Sequence, residues 1–310
     1  MVDESYLLLA GGVGAAKFID GLAQIISQRS IKIIVNTGDD INLFGLQICP
    51  DIDIITYTLA NLVDNEKGWG YKNESFNCLS VLNHFYEYKW FNAGDKDLAT
   101  HIYRTDLLNQ QYNKDEVTSI ICRKLGVEAE IIPMCNQSVA TYIETDTKKM
   151  HFEEYYIKYK CEPGIRNVKF RGIEKAQIIN RIKNYMNNAQ KIILCPSNPI
   201  VSIGTILSIP GMKELLKTYK NKVYGISPII QGAPIKGPAD KLMRWKGLEV
   251  SPVGVASFYK EFLGHFIIDK KDKGLVQSIE NLGINCYTFD TLMKNIEKKK
   301  KLAKFVINLN

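Results

Sequence analysis

The chain has 310 residues, 45% of them hydrophobic and 24% charged, a balance typical of a soluble globular protein large enough to bury a core without disulfide or metal staples. Its net charge of +7 is concentrated near one end, where six Lys and one Glu lie from Lys294 onward, so neither a nucleic-acid partner nor a basic body is expected. No run approaches the ~20 apolar residues of a membrane span, and MVDESYLLLAGG lacks a signal-peptide layout. Seven Cys without a CxxC pair predict reduced thiols in the cytoplasm.

In chain order, Tyr6–Ala10 is a short apolar run that ends in Gly11-Gly12-Val13-Gly14, and helical spacing follows through Phe18, Leu22 and Ile25. This predicts strand, tight turn and helix. Lys32–Val35 is a second buried strand ending at Asn36-Thr37-Gly38-Asp39-Asp40, and a strand–helix–strand unit of this length favours a parallel sheet. Residues 60–130 are mainly helical, with a helix over Glu116–Leu125 closed by Gly126. Ala140–Glu144 and Met150–Tyr159 are predicted as the two strands of a hairpin. Strands then return at Ile192–Cys195, Val223–Ser227, Phe266–Asp269 and Ile284–Phe289, and a last helix is expected from about Thr291. The expected architecture is a Rossmann-like parallel α/β core from residues 1–60 and 190–310, with an inserted, mainly helical lobe and a hairpin at 61–189.

Five segments carry chemistry. The glycine turn 11–14 lets the backbone approach a phosphate, the next helix offers free N–H groups, and Lys17 adds a positive charge. The third glycine of a dinucleotide fingerprint is absent and there is no Walker pattern. Asp39, Asp40, Asp51 and Asp53 fall near strand ends, where carboxylates beside a phosphate loop suit Mg²⁺, an oxygen-preferring ion. Asp97, His101 and Arg104 share one helical face. Pro196-Ser197-Asn198-Pro199 and the Gly/Pro-rich loop with Lys236 and Lys241 supply polar and cationic groups at two further strand ends. Four scattered His give no zinc-type cluster. Lysines 298–301 and 304 read as a solvated face at a helix C-terminus.

Taken together and in order, GGVGAAK (11–17), VNTGDD (35–40), ICPDID (48–53), GWG (68–70), GDKDLATHIYRT (94–105), MHFEEY (150–155), PSNPIVSIG (196–204) and SPIIQGAPIKGPADKLM (227–243) resemble the 2-phospho-L-lactate transferase family of coenzyme F-420 biosynthesis. The resemblance implies a Mg²⁺-dependent homodimer that moves a phospholactyl-type group from a guanosine diphosphate conjugate to the deazaflavin Fo and releases GMP. It assigns Gly12, Gly14, Lys17, Asn36, Ser197, Asn198 and Lys236 to the donor. Asn92, Lys96, His101 and Asp53 go to the acceptor, and Asp40 and Asp53 to metal and catalysis. Asn92 stands where many archaeal members carry a basic residue, which leaves Lys96 to supply that charge, and Ile54 replaces the usual Thr. The competing reading is a nucleotide-sugar-binding regulator of the gluconeogenesis-factor-like kind. That kind carries a Gly/Ser-rich run after the paired Asp, where this chain has Ile41-Asn42-Leu43-Phe44.

Overall fold

The computed structural model describes residues 5–64, 68–87 and 90–309. Seven parallel strands form the central sheet: β1 Tyr6–Ala10, β2 Ile31–Val35, β3 Glu130–Pro133, β4 Lys191–Leu194, β5 Val223–Ile226, β6 His265–Asp269 and β7 Asn285–Phe289. Their spatial order is β3-β2-β1-β4-β5-β6-β7, every neighbouring pair being parallel. This is the doubly wound order, whose topological switch lies between β1 and β4. Both faces of β1 are covered. Leu7 and Leu9 enter one apolar core, while Tyr6, Leu8 and Ala10 enter the other, which is why the strand reads as an unbroken apolar run.

Helix α1, Gly12–Ala23, leaves the tip of β1 and buries Ala15, Ala16, Phe18, Ile19 and Leu22. It packs against α2, Pro50–Leu59, and against the last helix, Ile296–Asn308. The lobe contributes α3, Asn77–Phe85, α4, Asp95–Asn109, and α5, Lys114–Lys124. A small hairpin, Ile41–Leu43 with Leu46–Ile48, joins the lobe to the core through a cluster of Leu43, Ile48, Phe91, Ala93 and Leu98. No helix among the described residues is long and apolar enough to cross a membrane, and all seven cysteines are free.

The α/β class and parallel core are as expected from the sequence, with local differences. Glu130–Pro133 falls inside the 61–189 stretch expected to form the lobe, yet it is an edge strand of the central sheet because Ile131 and Ile132 are buried against β2. The strand predicted over Met150–Tyr159 ends at His151, and residues 154–158 form a helical turn. Phe152 and Tyr156, four apart, stack at 5.9 Å as one helical face permits. The hairpin gains a third strand, Asn167–Arg171, on its other edge. The last helix begins at Ile296 rather than near Thr291, because Asn295 caps it by accepting from the Lys298 N–H at 3.0 Å. Two of the lysines at its start are tied to acids elsewhere in the chain: Lys299 meets Asp20 at 2.7 Å, and Lys298 pairs with Asp290.

Candidate active site

At the carboxyl ends of the strands lies a cavity of about 690 Å³, where ligands bind in open α/β sheets. The core side is made largely of loop backbone. Gly11-Gly12-Val13-Gly14 follows β1, Pro196-Ser197-Asn198 follows β4, and Ser227-Pro228 follows β5. Gly14 is required by close approach: a Cβ there would lie 2.3 Å from the Pro196 carbonyl oxygen. The Gly11 N–H donates to Ser197 Oγ at 3.2 Å, locking the two loops together. The first-turn N–H groups of α1 have no partner within the helix, and that of Gly12 donates to Asp51 Oδ1 at 2.7 Å. Lys17 and Lys236 also line this side. Burial, then the charges of Lys299 and Lys236, push the Lys17 ammonium below its ordinary range, so an incoming anion relieves a local excess of positive charge.

Against the glycine turn stands a buried acid group. Asn36 Nδ2 donates both to Asp39 Oδ2 at 3.1 Å and to Asp51 Oδ2 at 2.9 Å, while Asn36 Oδ1 accepts from the Gly38 N–H at 2.9 Å. Asn36 therefore holds two carboxylates side by side from beneath. Asp39 Oδ1 is buried with no partner. Burial, then Asp51, Glu153 and Asp40, raises the Asp39 carboxyl well above its usual range. Burial raises Asp51 to about 6, and burial with the Asp51 charge raises Glu153 to about 8.

The lobe side is made of side chains. Trp69, Tyr57 and Phe91 line it, with Phe152 and Tyr156 adding further aromatic surface. Asp53, from the first turn of α2, is gripped by Arg104 of α4: Nη1 donates to Oδ2 at 3.0 Å and Nη2 donates to Oδ1. Arg104 Nη1 also approaches His101 Nδ1 at 3.2 Å. A guanidinium can only donate, so Nδ1 is the acceptor and the neutral ring carries its proton on Nε2. Burial takes His101 down to about 4, with Asp53 opposing and Arg104 adding to that shift.

The cavity brings together Gly12, Gly14, Lys17, Asp53, Asn92, His101, Ser197, Asn198 and Lys236. Three expected residues do not line it. Asn36 sits beneath the acids. Asp40 is buried and receives a hydrogen bond from Lys114 Nζ at 2.6 Å. Lys96 turns its ammonium to the carbonyls of Lys72 at 2.9 Å and Asn73 at 2.7 Å, so it does not replace the charge missing at Asn92. Sequence reasoning passed over Glu153, Tyr57 and the irregular segment Thr291–Lys294, which also line the cavity. Thr291 is fixed by buried Asp269, whose Oδ2 accepts from its N–H at 2.9 Å and its hydroxyl at 3.2 Å. The unused signal for that segment was Asn295, a helix cap that leaves the preceding residues outside the helix.

Topology and cavity together define a Rossmann-like α/β protein with a large cleft at the carboxyl ends of its strands. A family described as 2-phospho-L-lactate transferase CofD matches residues 7–306. The chain is 38% identical to the 2-phospho-L-lactate transferase of Methanosarcina acetivorans over 98% of both chains. It is 36% identical to the phosphoenolpyruvate transferase of Streptomyces griseus, covering 98% of this chain and 97% of that one. A UPF0052-family protein from Bacillus halodurans shares the fold with TM-score 0.64 at 14% identity, over 99% of this chain and 100% of that one. The chain belongs to the 2-phospho-L-lactate transferase CofD family, and so to a family of transferase enzymes.

Proposed function

We propose that the cavity transfers a 2-phospholactyl-type or phosphoenolpyruvyl group from a guanosine diphosphate conjugate to the deazaflavin Fo, forming the F-420 precursor and releasing GMP. The observation that carries this reading is the division of one cavity into a cationic glycine turn on the core side and an aromatic wall beside Asp53 on the lobe side. The first suits a diphosphate; the second suits a flat ring bearing a polar chain. The acceptor hydroxyl attacks the phosphorus that carries the lactyl-type group, in line with the departing GMP oxygen. Gly12, Gly14, Lys17 and Lys236 hold the diphosphate, Ser197 and Asn198 seat the nucleoside, and Asp53 with Asn92 and His101 orients the acceptor. The homodimer expected from the family is carried with this reading.

For Mg²⁺, Asp39 and Asp51 fit better than the expected Asp40 and Asp53. Asp39 and Asp40 each keep one buried, unpartnered oxygen, but Asp40 and Asp53 already carry Lys114 and Arg104, whereas Asp39 and Asp51 line the cavity and share one Asn36 amide. Two carboxylates with substrate phosphates are a usual Mg²⁺ set. When bound, the ion offsets charge on the diphosphate. The test is GMP release by the purified protein with Fo and a donor, with and without Mg²⁺. Mg²⁺- and Fo-dependent release is the expected result. Tight binding of a UDP-sugar with no response to Fo would overturn the reading in favour of the regulator.

A further inference from the structure

The acceptor hydroxyl has to lose its proton as it attacks, and most polar groups around it are already committed. Asp53 has both oxygens engaged by Arg104. His101 accepts from Arg104 through Nδ1, which leaves Nε2 as a donor. Asp39, Asp51 and Glu153 belong to the acid group of the core side. Among the described residues one cavity-lining carboxylate remains, Asp97 in the first turn of α4.

A first-turn Asp is ordinarily a helix-stabilising residue. Here Glu74 shares that role with it. Glu74 accepts the N–H groups of Lys96 at 3.0 Å and Asp97 at 3.3 Å, capping α4 from outside. Gly94 permits this, since a Cβ there would lie 2.0 Å from Glu74 Cγ. Asp95 spends its carboxylate on α3, accepting from Ser75 Oγ at 2.7 Å and the Cys78 N–H at 3.0 Å. Among the described residues no Lys, Arg or His forms a salt bridge with Asp97. It is thus a cavity-lining carboxylate without a cation, turned towards the Tyr57 hydroxyl and the Gly94 N–H at the start of its helix.

We infer that Asp97 is a catalytic residue, the general base that takes the proton of the acceptor hydroxyl. This rests on the acceptor reading given under Proposed function. The hydroxyl oxygen forms its bond to phosphorus, its proton passes to the Asp97 carboxylate, and the phosphorus–oxygen bond to GMP breaks with its electron pair leaving on GMP. The protonated Asp97 then returns its proton to solvent. The groups that face its carboxyl are Asp53 and Tyr57 from α2, Tyr71 and Glu74 from the preceding segment, and the Gly94 N–H at the start of its own helix. Burial first, then the Asp53 and Glu74 charges, raise it to about 7, where a base works best at neutral pH.

The experiment compares wild type with Asp97→Asn and Asp97→Glu, measuring kcat against pH, the Kd for Fo by calorimetry, and Fo-dependent GMP release. Wild-type kcat should rise with pH through about 7 and level off. Asp97→Asn should lose about 10²-fold or more in kcat, lose that rise, and bind Fo within about threefold of wild type. A purely structural residue would weaken Fo binding or stability and leave the pH rise in place. Asp97→Glu, which keeps a carboxylate, should retain a pH-dependent rate even if the amide variant does not fold. Wild-type kcat in Asp97→Asn, a pH rise that survives it, or a wild-type kcat flat across this range would each overturn the inference. Absence of any Fo-dependent release by wild type would overturn the proposed function as well; release with an undiminished Asp97→Asn overturns this inference alone.

Discussion

The two sides of the cavity are built from different materials. The core side is backbone: a glycine turn, strand-end loops and a helix N-terminus, held at separations where even a Cβ collides. The lobe side is side chains that meet from distant parts of the chain. Asp53 reaches Arg104 across 51 residues, and nearby Asp40 reaches Lys114 across 74. A backbone surface is altered mainly by adding atoms. A surface of buried charge pairs is altered by removing one partner, because the other is left charged in a poor solvent.

The strongest way to break this contrast is Arg104→Met. Arg104 is 3% exposed and Asp53 is 5% exposed, so deleting the guanidinium strands a buried carboxylate. We expect a loss of about 3–5 kcal/mol in urea unfolding and loss of Fo binding, while GDP affinity in the folded fraction is kept. A variant within about 1 kcal/mol of wild type, below the usual cost of breaking a buried pair, would show that the lobe side does not depend on it.

On the core side the matching change adds one methyl. Gly14→Ala forces the Pro196 loop to move, and overpacking of this kind costs about 1–3 kcal/mol. It should weaken GDP binding and leave Fo binding intact, the reverse of Arg104→Met. Equal loss of both ligands would show that the two sides are not separable. A smaller effect is expected from Lys17→Ala: GDP affinity about tenfold weaker, as for one charge-assisted contact, with no loss of stability. Lys17 is already disfavoured by burial and two neighbouring lysines, so a fall in Tm would contradict its role as a ligand group.

The same contrast explains what could be read from the sequence. The glycine turn was legible because local sterics and strand–helix periodicity dictate it. The acid stretch from Asp39 to Asp53 was legible as a group, but not the part each residue plays. Preferring Asp39 to Asp40 for the proposed cation required knowing that Lys114, far along the chain, would pair with Asp40, and that Asn36 would draw Asp39 and Asp51 together. Asp97, His101 and Arg104 were visible as one helical face, yet the partner of that face, Asp53, lies on another helix. The error at 150–159 has a local cause. Phe152, Tyr155 and Tyr156 suit a strand by composition, but Phe152 and Tyr155 are buried together only when the chain turns helical.

The smallest predicted effect tests whether the acid group is held at the expense of stability. Glu153 and Asp51 ordinarily titrate near 4.5 and 3.8; in the fold they move up to about 8 and about 6. Between the unfolded and folded values the native state binds more protons than the unfolded chain. Stability of the metal-free protein therefore falls as pH rises from about 4 towards about 8. Glu153→Gln removes the highest of these steps and one of the charges facing Asp39 and Asp51. Its Tm should match wild type at pH 5 and exceed it modestly at pH 8, measured in EDTA; the sign follows because the amide has no proton to lose. Added Mg²⁺ should narrow the gap, since a cation at Asp39 and Asp51 favours the native carboxylates that protonation otherwise quenches. A Tm difference that is independent of pH would mean that Glu153 acts by packing, and that the acid wall carries no stored repulsion for a cation to relieve.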